Sequence, residues 1–492
     1  MKLNELLNNV SVIQVVGNAE QKEIEELTID SKTVKKNSLF FAIKGQKADG
    51  HSFIPEVINK NAAAVVLENG NLFPDEIFLH SNCVKIVVQD SKKALAEFSN
   101  VFFGEPSKRL NVIGITGTKG KSTTAFFVKN IFETNKNKCG LIGTIANYIG
   151  DVEVKTSLTT PQSHEINFLF SEMLKQNCSH CVMEVSSHAL DLHRVDFMKF
   201  SSAIFTNITS DHMDYHQTFD HYFISKKKLF DMVSSDGYVI YNADDENGER
   251  IVEDTKAQKI SYGTKKNSDI HIEKIDFDLD GTRFILNWKG KSFNLETKLI
   301  GNFNAYNATA AFSVAVVKGV KPEVAIEGIK NTPQVPGRFE VVSMQKKKVI
   351  IDYSHTADSL KQALEAIHHI VKGERKIYTV FGCGGDRDKT KRPIMGSIAS
   401  ELSERVYVTS DNPRTEDPFV IIDEIVHGIK KNNYRIIENR EDAIRSAIFE
   451  SEDDAVILVA GKGHENYQEI NGVRKHFSDK EISEKYLNEW AN

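Results

Sequence analysis

The stretch Gly114-Ile-Thr-Gly-Thr-Lys-Gly-Lys-Ser-Thr-Thr124 constrains this 492-residue chain more than any other. It joins an apolar run, Val112-Ile113, to a helical pattern carried by Phe126, Phe127 and Ile131. A strand, a glycine-rich turn and a helix start make a cradle for an anion. Backbone N–H groups and the helix dipole face it, and Lys121 adds a full charge. Gly117, Thr118, Lys119, Gly120, Lys121, Ser122 and Thr123 form this cradle, with the Ser122 hydroxyl placed to reach a metal. A nucleoside triphosphate is the expected ligand. The glycine spacing departs from the ordinary phosphate-loop pattern: five residues separate Gly114 from Gly120, and Gly117 lies too close to serve as the first glycine.

So long a chain exceeds one ordinary core, and two to four domains are expected. Its 40% apolar and 26% charged residues are those of a soluble globular protein. A net charge of -6 argues against a generic nucleic-acid or anionic-membrane binder. No apolar run approaches the length that spans a bilayer. Glu5 and several asparagines near the start do not read as a signal peptide. The five scattered cysteines suit a reducing cytoplasm. Cys178-Ser-His-Cys181 has a metal or redox spacing, but it stands alone and runs into Val182-Met183. It reads as structural, since zinc needs a second ligand pair.

Three α/β segments are expected: residues 1–106, a central unit over 107–334 that begins with the phosphate loop, and 335–492. Phe102-Phe-Gly-Glu-Pro106 and Thr332-Pro-Gln-Val-Pro-Gly337 are the linkers. Asp280-Gly281 signals a hairpin in an alternating stretch over 269–299. Beyond residue 337, short apolar strands at 349–351, 377–381, 406–409, 434–437 and 455–460 alternate with helical stretches, the pattern of a doubly wound α/β domain. Ligands of such sheets bind outside the carboxyl ends of the strands. Four polar clusters follow strands there: Asp352-Tyr-Ser-His355, Gly382-Cys-Gly-Gly-Asp-Arg387, Ser410-Asp-Asn-Pro-Arg414 and Gly461-Lys-Gly-His-Glu465. One common site is expected.

In the central unit Glu184 ends an apolar strand, where a carboxylate is placed to hold Mg²⁺. Asp211, His212, Asp214 and His216 crowd into six residues, too many for all to be ligands. Lys226-Lys227-Lys228 reads, on charge alone, as a solvated helix face. Asn304 and Asn307 suit a nucleotide edge or phosphate, and equally suit local capping. Arg338, beside the second linker, could reach triphosphate oxygens.

Together these residues resemble the Mur ligase family over essentially the whole chain. The likeness rests on Thr116–Thr123, Glu184-Val-Ser-Ser-His188, Asp211-His-Met-Asp214, Ser225-Lys226 with Leu229-Phe230, Gly301–Asn307, Pro336–Phe339 and Asp352–His355. Asp30-Ser31, Asp49-Gly-His51, Thr159-Thr-Pro161 and Asp411-Asn-Pro-Arg414 point to members that add the third amino acid of the peptidoglycan peptide. The resemblance implies a small N-terminal α/β domain for the UDP end of the substrate, a central parallel-sheet ATPase domain and a C-terminal Rossmann-like domain for the amino acid. It implies a cytoplasmic monomer. ATP is the co-substrate, Mg²⁺ (two ions) the cofactor, and UDP-N-acetylmuramoyl-L-alanyl-D-glutamate the acceptor of the new residue. A carboxylate of that dipeptide would attack the γ-phosphate, and an amine would then displace phosphate from the acyl phosphate.

By the same carry-over, Lys121, Glu184, His212 and Lys226 are catalytic, with Lys226 as a carbamate that joins Ser122, Glu184 and His212 around metal. Asn304, Arg338 and Asp352 join the ATP site. Ser31, Gln46, Lys47, Ala48, Thr159, Thr160, Ser186 and Arg194 take the UDP-muramyl dipeptide. Arg387, Asp411, Asn412, Pro413, Arg414, Gly461 and Glu465 take the amino acid. Lys32, Asn37, Ser122, Leu192 and Ala357 depart from the usual residues. Family members add meso-diaminopimelate or L-lysine. Arg414 would face no anion with lysine bound, and an unpaired desolvated guanidinium is costly, so meso-diaminopimelate is expected. The lysine-adding ligase, folylpolyglutamate synthetase and a nucleotide-driven switch are the competing readings.

Overall fold

Strands buried on both faces need near-continuous apolar sequence. Asn-Val-Ile-Gly-Ile-Thr meets that demand, and strand Asn111–Thr116 is buried from its second residue on. The computed structural model describes residues 1–45, 48–156 and 158–492. The chain divides into two compact units, Met1–Ile270 with Ala310–Ala325, and His271–Thr309 with Ile326–Asn492.

The first unit holds two sheets. Near the N-terminus, Glu26–Thr28, Ser38–Phe41, Ala64–Leu67 and Val84–Val87 lie parallel in that order, with Gln14–Val16 antiparallel on the last. The second sheet runs Gln258–Gly263, Val233–Asn242, Phe200–Phe205, Asn111–Thr116, His180–Glu184, Cys139–Ile142, all parallel. Asn147–Ile149 and Val152–Val154 extend it antiparallel. The phosphate-loop strand therefore lies between Phe200–Phe205 and His180–Glu184. Pairing of Glu184 with Ile115 and of Phe205 with Thr116 brings three strand ends level. Cys178 and Cys181 are buried in this core, and burial raises both thiol pKa values.

In the second unit Ile270–Asp278, Gly281–Trp288 and Lys291–Thr297 follow one another as neighbouring strands, with Asp280-Gly281 at the first turn as expected. A six-stranded sheet follows, ordered Glu340–Met344, Lys347–Asp352, Val456–Ala460, Ile377–Phe381, Arg405–Val408, Tyr434–Ile436. All pairs but the first are parallel. Alternate residues feed opposite faces. Ile350, Phe381, Val408 and Leu458 pack with helices Ala357–Val371, Lys391–Leu402 and Pro418–Val426. Val349, Ile351, Val380 and Ile457 pack with Arg440–Glu450 and Asp479–Ala491. Helices on both faces of a parallel sheet make the doubly wound arrangement.

Candidate active site

The phosphate loop is shaped by what crowds it. Gly117 has φ +152°, and a Cβ there would fall 2.0 Å from Thr206 Oγ1, at the end of the neighbouring strand. Gly120, at φ +84°, leads into helix Lys121–Thr134, whose N-terminus is the loop's anion-facing end. Asn207 grips the turn from the side. Its Oδ1 accepts from Lys119 N at 3.0 Å, its Nδ2 donates to Lys119 O at 3.1 Å, and its carbonyl accepts from Thr118 N at 2.8 Å. The Lys121 ammonium donates to Gly117 O at 2.8 Å and Thr118 O at 2.9 Å.

Glu184 is 1% exposed, so its carboxylate does not stand in solvent. It accepts from Ser122 Oγ at 3.0 Å, Thr144 Oγ1 at 3.0 Å and Thr144 N at 2.9 Å, none of them cationic. A buried carboxylate beside two hydroxyls at a phosphate-loop helix is a hard-oxygen donor set, and it fits Mg²⁺. Among the described residues, no group of three His, Cys, Asp or Glu side chains could hold a metal alone.

Lys226 lies in helix Phe219–Asp231, whose buried positions are Tyr222, Phe223, Ser225, Lys226, Leu229 and Phe230. Helical spacing puts Lys226 on the apolar face and turns Lys227 and Lys228 outward, where they pair with Asp231 and Asp191. The solvated-face reading fails for Lys226 for this reason. Its Nζ donates to Gly117 O at 3.0 Å, the carbonyl that Lys121 also uses, and lies 4.6 Å from the Tyr222 ring centroid. Burial, then the Lys121 charge, hold its pKa well below the ordinary lysine value, against a weaker pull from Asp211. His212 sits in a left-handed conformation with its ring edge-on to His188, centroids 4.9 Å apart. Burial also lowers its pKa. Of its crowded neighbours, His216 is buried and bonded through Nε2 to Ser187 Oγ at 2.9 Å, and Asp211 accepts from His212 N.

Of the residues expected to take the dipeptide, Thr159, Thr160, Ser186 and Arg194 join the Glu184 cluster. Thr144 Oγ1 lies 3.1 Å from Thr159 Oγ1. Thr160 Oγ1 donates to Glu184 O at 2.9 Å and accepts from Ser186 N at 3.0 Å. Arg194 Nη1 donates to Thr160 O at 2.9 Å, while its buried Nε has no hydrogen-bond partner among the described residues. Ser31 is buried, with its carbonyl accepting from Lys60 Nζ at 2.7 Å, and Ala48 is exposed. Gln46 and Lys47 lie outside the described residues.

In the second unit the polar clusters do meet at the strand ends. Gly461 N donates to Asp352 O, and Gly385 N to Asn412 O. The Arg414 guanidinium donates to Gly385 O at 2.6 Å, and Asn412 Nδ2 donates to Glu465 Oε2 at 2.7 Å. A Cβ on Gly461 would stand 2.7 Å from Asp411 Oδ2. Burial raises the Glu465 pKa, with Lys462 opposing. Pro413 is buried and Arg387 exposed. Asp352 accepts from Phe339 N at 2.8 Å and from the Ser354 hydroxyl, and the Arg338 guanidinium stacks 4.8 Å from the Tyr353 ring centroid. Asn304 Nδ2 donates to Ile300 O, a local bond. Sequence reasoning missed Asn207, Thr144 and Lys462. Lys462, inside a cluster already singled out, and Asn207, between a strand end and the crowded Asp211–His216 run, had a signal to find them; Thr144 had none.

The sequence matches the Mur ligase family catalytic domain over residues 23–103, the Mur ligase middle domain over 115–315, and the Mur ligase glutamate ligase domain over 337–463. It is 42% identical to UDP-N-acetylmuramoyl-L-alanyl-D-glutamate–2,6-diaminopimelate ligase 1 of Clostridium acetobutylicum, covering 99% of this chain and 100% of that protein. A solved structure of a UDP-N-acetylmuramoyl-L-alanyl-D-glutamate–2,6-diaminopimelate ligase superposes with TM-score 0.70 at 27% identity, covering 99% of both chains. A MurF ligase from Thermotoga maritima in complex with ADP shares the fold, with TM-score 0.64 at 18% identity over 94% of this chain and 98% of its own. Likeness at this identity along the full length settles the family: the chain belongs to the Mur ligases.

Proposed function

We propose that this protein joins meso-2,6-diaminopimelate to UDP-N-acetylmuramoyl-L-alanyl-D-glutamate at the cost of ATP, in cytoplasmic peptidoglycan precursor synthesis. The observation that carries this reading is the full-length likeness to diaminopimelate ligases. Residues 1–106, 107–334 and 335–492 would serve the UDP-muramyl dipeptide, ATP and the amino acid in turn. Among the described residues no helix is long and apolar enough to cross a membrane.

The chemistry gives each residue a task. A carboxylate must approach a triphosphate, so negative charge has to be neutralised before the acyl phosphate forms. The loop N–H groups and Lys121 bind the phosphates. Bound Mg²⁺, which Ser122 and Glu184 would hold with His212 and Lys226, would supply further charge neutralisation. Arg194 and the Thr159–Thr160 hydroxyls would orient the dipeptide, a guanidinium being suited to a carboxylate or phosphate. Lys226 suits carbamylation because burial favours its neutral amine, which adds to carbon dioxide with loss of a proton and leaves a carboxylate. Asn304, Arg338 and Asp352 would complete the ATP contacts. Arg414 and Arg387 match the carboxylates of diaminopimelate, and Glu465 its distal ammonium.

Purified protein incubated with ATP, Mg²⁺, UDP-muramyl dipeptide and either diaminopimelate or L-lysine tests the assignment by product mass. Diaminopimelate addition is expected. Preferential lysine addition would reassign the substrate, and indifference to the muramyl dipeptide would remove the function altogether.

A further inference from the structure

Lys462 lies at the amino-acid end of the second unit and is wholly buried. A buried ammonium costs several kcal/mol unless partners surround it. Its Nζ lies 3.1 Å from Asn412 Oδ1, 3.6 Å from Asp411 Oδ1 and 3.5 Å from Glu465 Oε2. The rings of Tyr467 and Phe477 flank it at 5.6 and 5.9 Å.

These contacts fix Asn412 unambiguously. An ammonium only donates, and so does the Glu469 N–H, which reaches the same Oδ1 at 2.9 Å. The Asn412 amide must therefore aim Nδ2 at Glu465, the 2.7 Å bond observed. Both contacts to Glu465 use Oε2.

The opposite side of the loop is held by the hairpin of Tyr467–Ile470 and Val473–His476. Gln468 Nε2 donates to Asp411 O at 2.8 Å. Arg414 N donates to Glu469 O at 3.1 Å, and Asn471 N to Arg414 O at 2.7 Å. That grip holds Arg414 at φ +53°, a left-handed conformation that costs a non-glycine residue energy.

We propose that Lys462 and the 467–476 hairpin form a clamp that positions Asn412, Arg414 and Glu465 for the incoming amino acid, with Lys462 a positioning residue acting through Asn412 and Glu465. The clamp rests on the function proposed above. The test is a KM split in the full-length enzyme. Lys462→Met should raise KM for diaminopimelate about tenfold or more, leaving KM for ATP and for UDP-muramyl dipeptide unchanged. An unchanged diaminopimelate KM, or three KM values rising together, overturns the clamp. Gln468→Leu, at a half-buried hairpin position, serves if Lys462→Met loses its cooperative melting transition. A selective rise in the diaminopimelate KM supports the clamp there too, and none overturns it. Wild-type protein that does not add diaminopimelate overturns the underlying function first, so the two failures are told apart.

Discussion

Lys226 occupies an apolar slot of its helix, four residues after Tyr222 and three before Leu229. A cation there is a structural burden, since lysine is almost never fully buried unless paired. Its ammonium meets the Gly117 carbonyl and the Tyr222 ring, and the repelling charge of Lys121 outweighs the pull of Asp211. The carbamylation proposed above would remove that repulsion and place an anion beside a cationic loop. Lys226→Ala should therefore lower kcat by about 10²–10³-fold, with partial recovery in millimolar short carboxylates that fill the space left behind. An alanine variant with full turnover would refute the role. The slot was legible in the sequence: Tyr222, Phe223, Leu229 and Phe230 define the buried stripe, and Lys226 falls on it. The run of three lysines masked the pattern, because two of them do face solvent. Lys462 was less legible. Its partners Asp411 and Asn412 are brought to it only by the sheet order, which puts Val456–Ala460 two places from Arg405–Val408.

The fully buried elements announced themselves most plainly. The parallel strands, such as Ile377–Phe381 and Val456–Ala460, are buried at every residue and read as unbroken apolar runs. Strand Glu340–Met344 and the 467–476 hairpin escaped, because their half-exposed or exposed residues carry neither a run nor an alternation. What ties the loops between elements is also invisible locally. Arg392, at the start of helix Lys391–Leu402, is fully buried and pairs with Glu416 at 2.9 Å and Glu424 at 2.6 Å. Glu416 Oε1 also accepts from Asp386 N, so one carboxylate joins the Arg387 loop to the Arg414 loop. The Arg392 hydrogen bond outweighs burial and holds the Glu416 pKa at about 2. A carboxylate depressed in the folded state stabilises fully above its unfolded pKa, near 4.5, and loses that contribution as pH falls toward 2. Glu416→Gln should cost about 3 kcal/mol at neutral pH, and the deficit should shrink between pH 4.5 and 2. Urea melts at several pH values would measure it, and a deficit constant down to pH 2 would assign the stability to packing instead.

At the scale of the whole molecule, the candidate triphosphate loop lies in the first unit and the candidate amino-acid cluster in the second. Their separate legibility has a common cause: each is a set of strand-end loops, and strand ends are where parallel sheets present ligand-binding groups. A phosphate loop alone is compatible with a hydrolytic switch, in which water takes the γ-phosphoryl group. A ligase must instead pass it to a carboxylate, so the route of a single oxygen atom separates the two. If the dipeptide carboxylate attacks the γ-phosphorus, one of its oxygens becomes the bridge of the acyl phosphate. The amine then attacks the carbonyl carbon, the C–O bond breaks, and that oxygen leaves with phosphate. UDP-muramyl dipeptide labelled with ¹⁸O in the D-glutamate side-chain carboxylate, turned over with ATP and diaminopimelate, should release inorganic phosphate carrying a single ¹⁸O, read by mass or by the ³¹P isotope shift. Phosphate that draws its new oxygen from solvent water would mean that ATP is hydrolysed rather than spent on the carboxylate. The Glu184 carboxylate that meets Ser122 at the phosphate loop is joined through Thr144 to Thr159, which the proposed function gives to the dipeptide. Thr144→Val tests that link: it keeps the side-chain volume, removes the hydroxyl between them, and should lower the yield of labelled phosphate per ATP consumed.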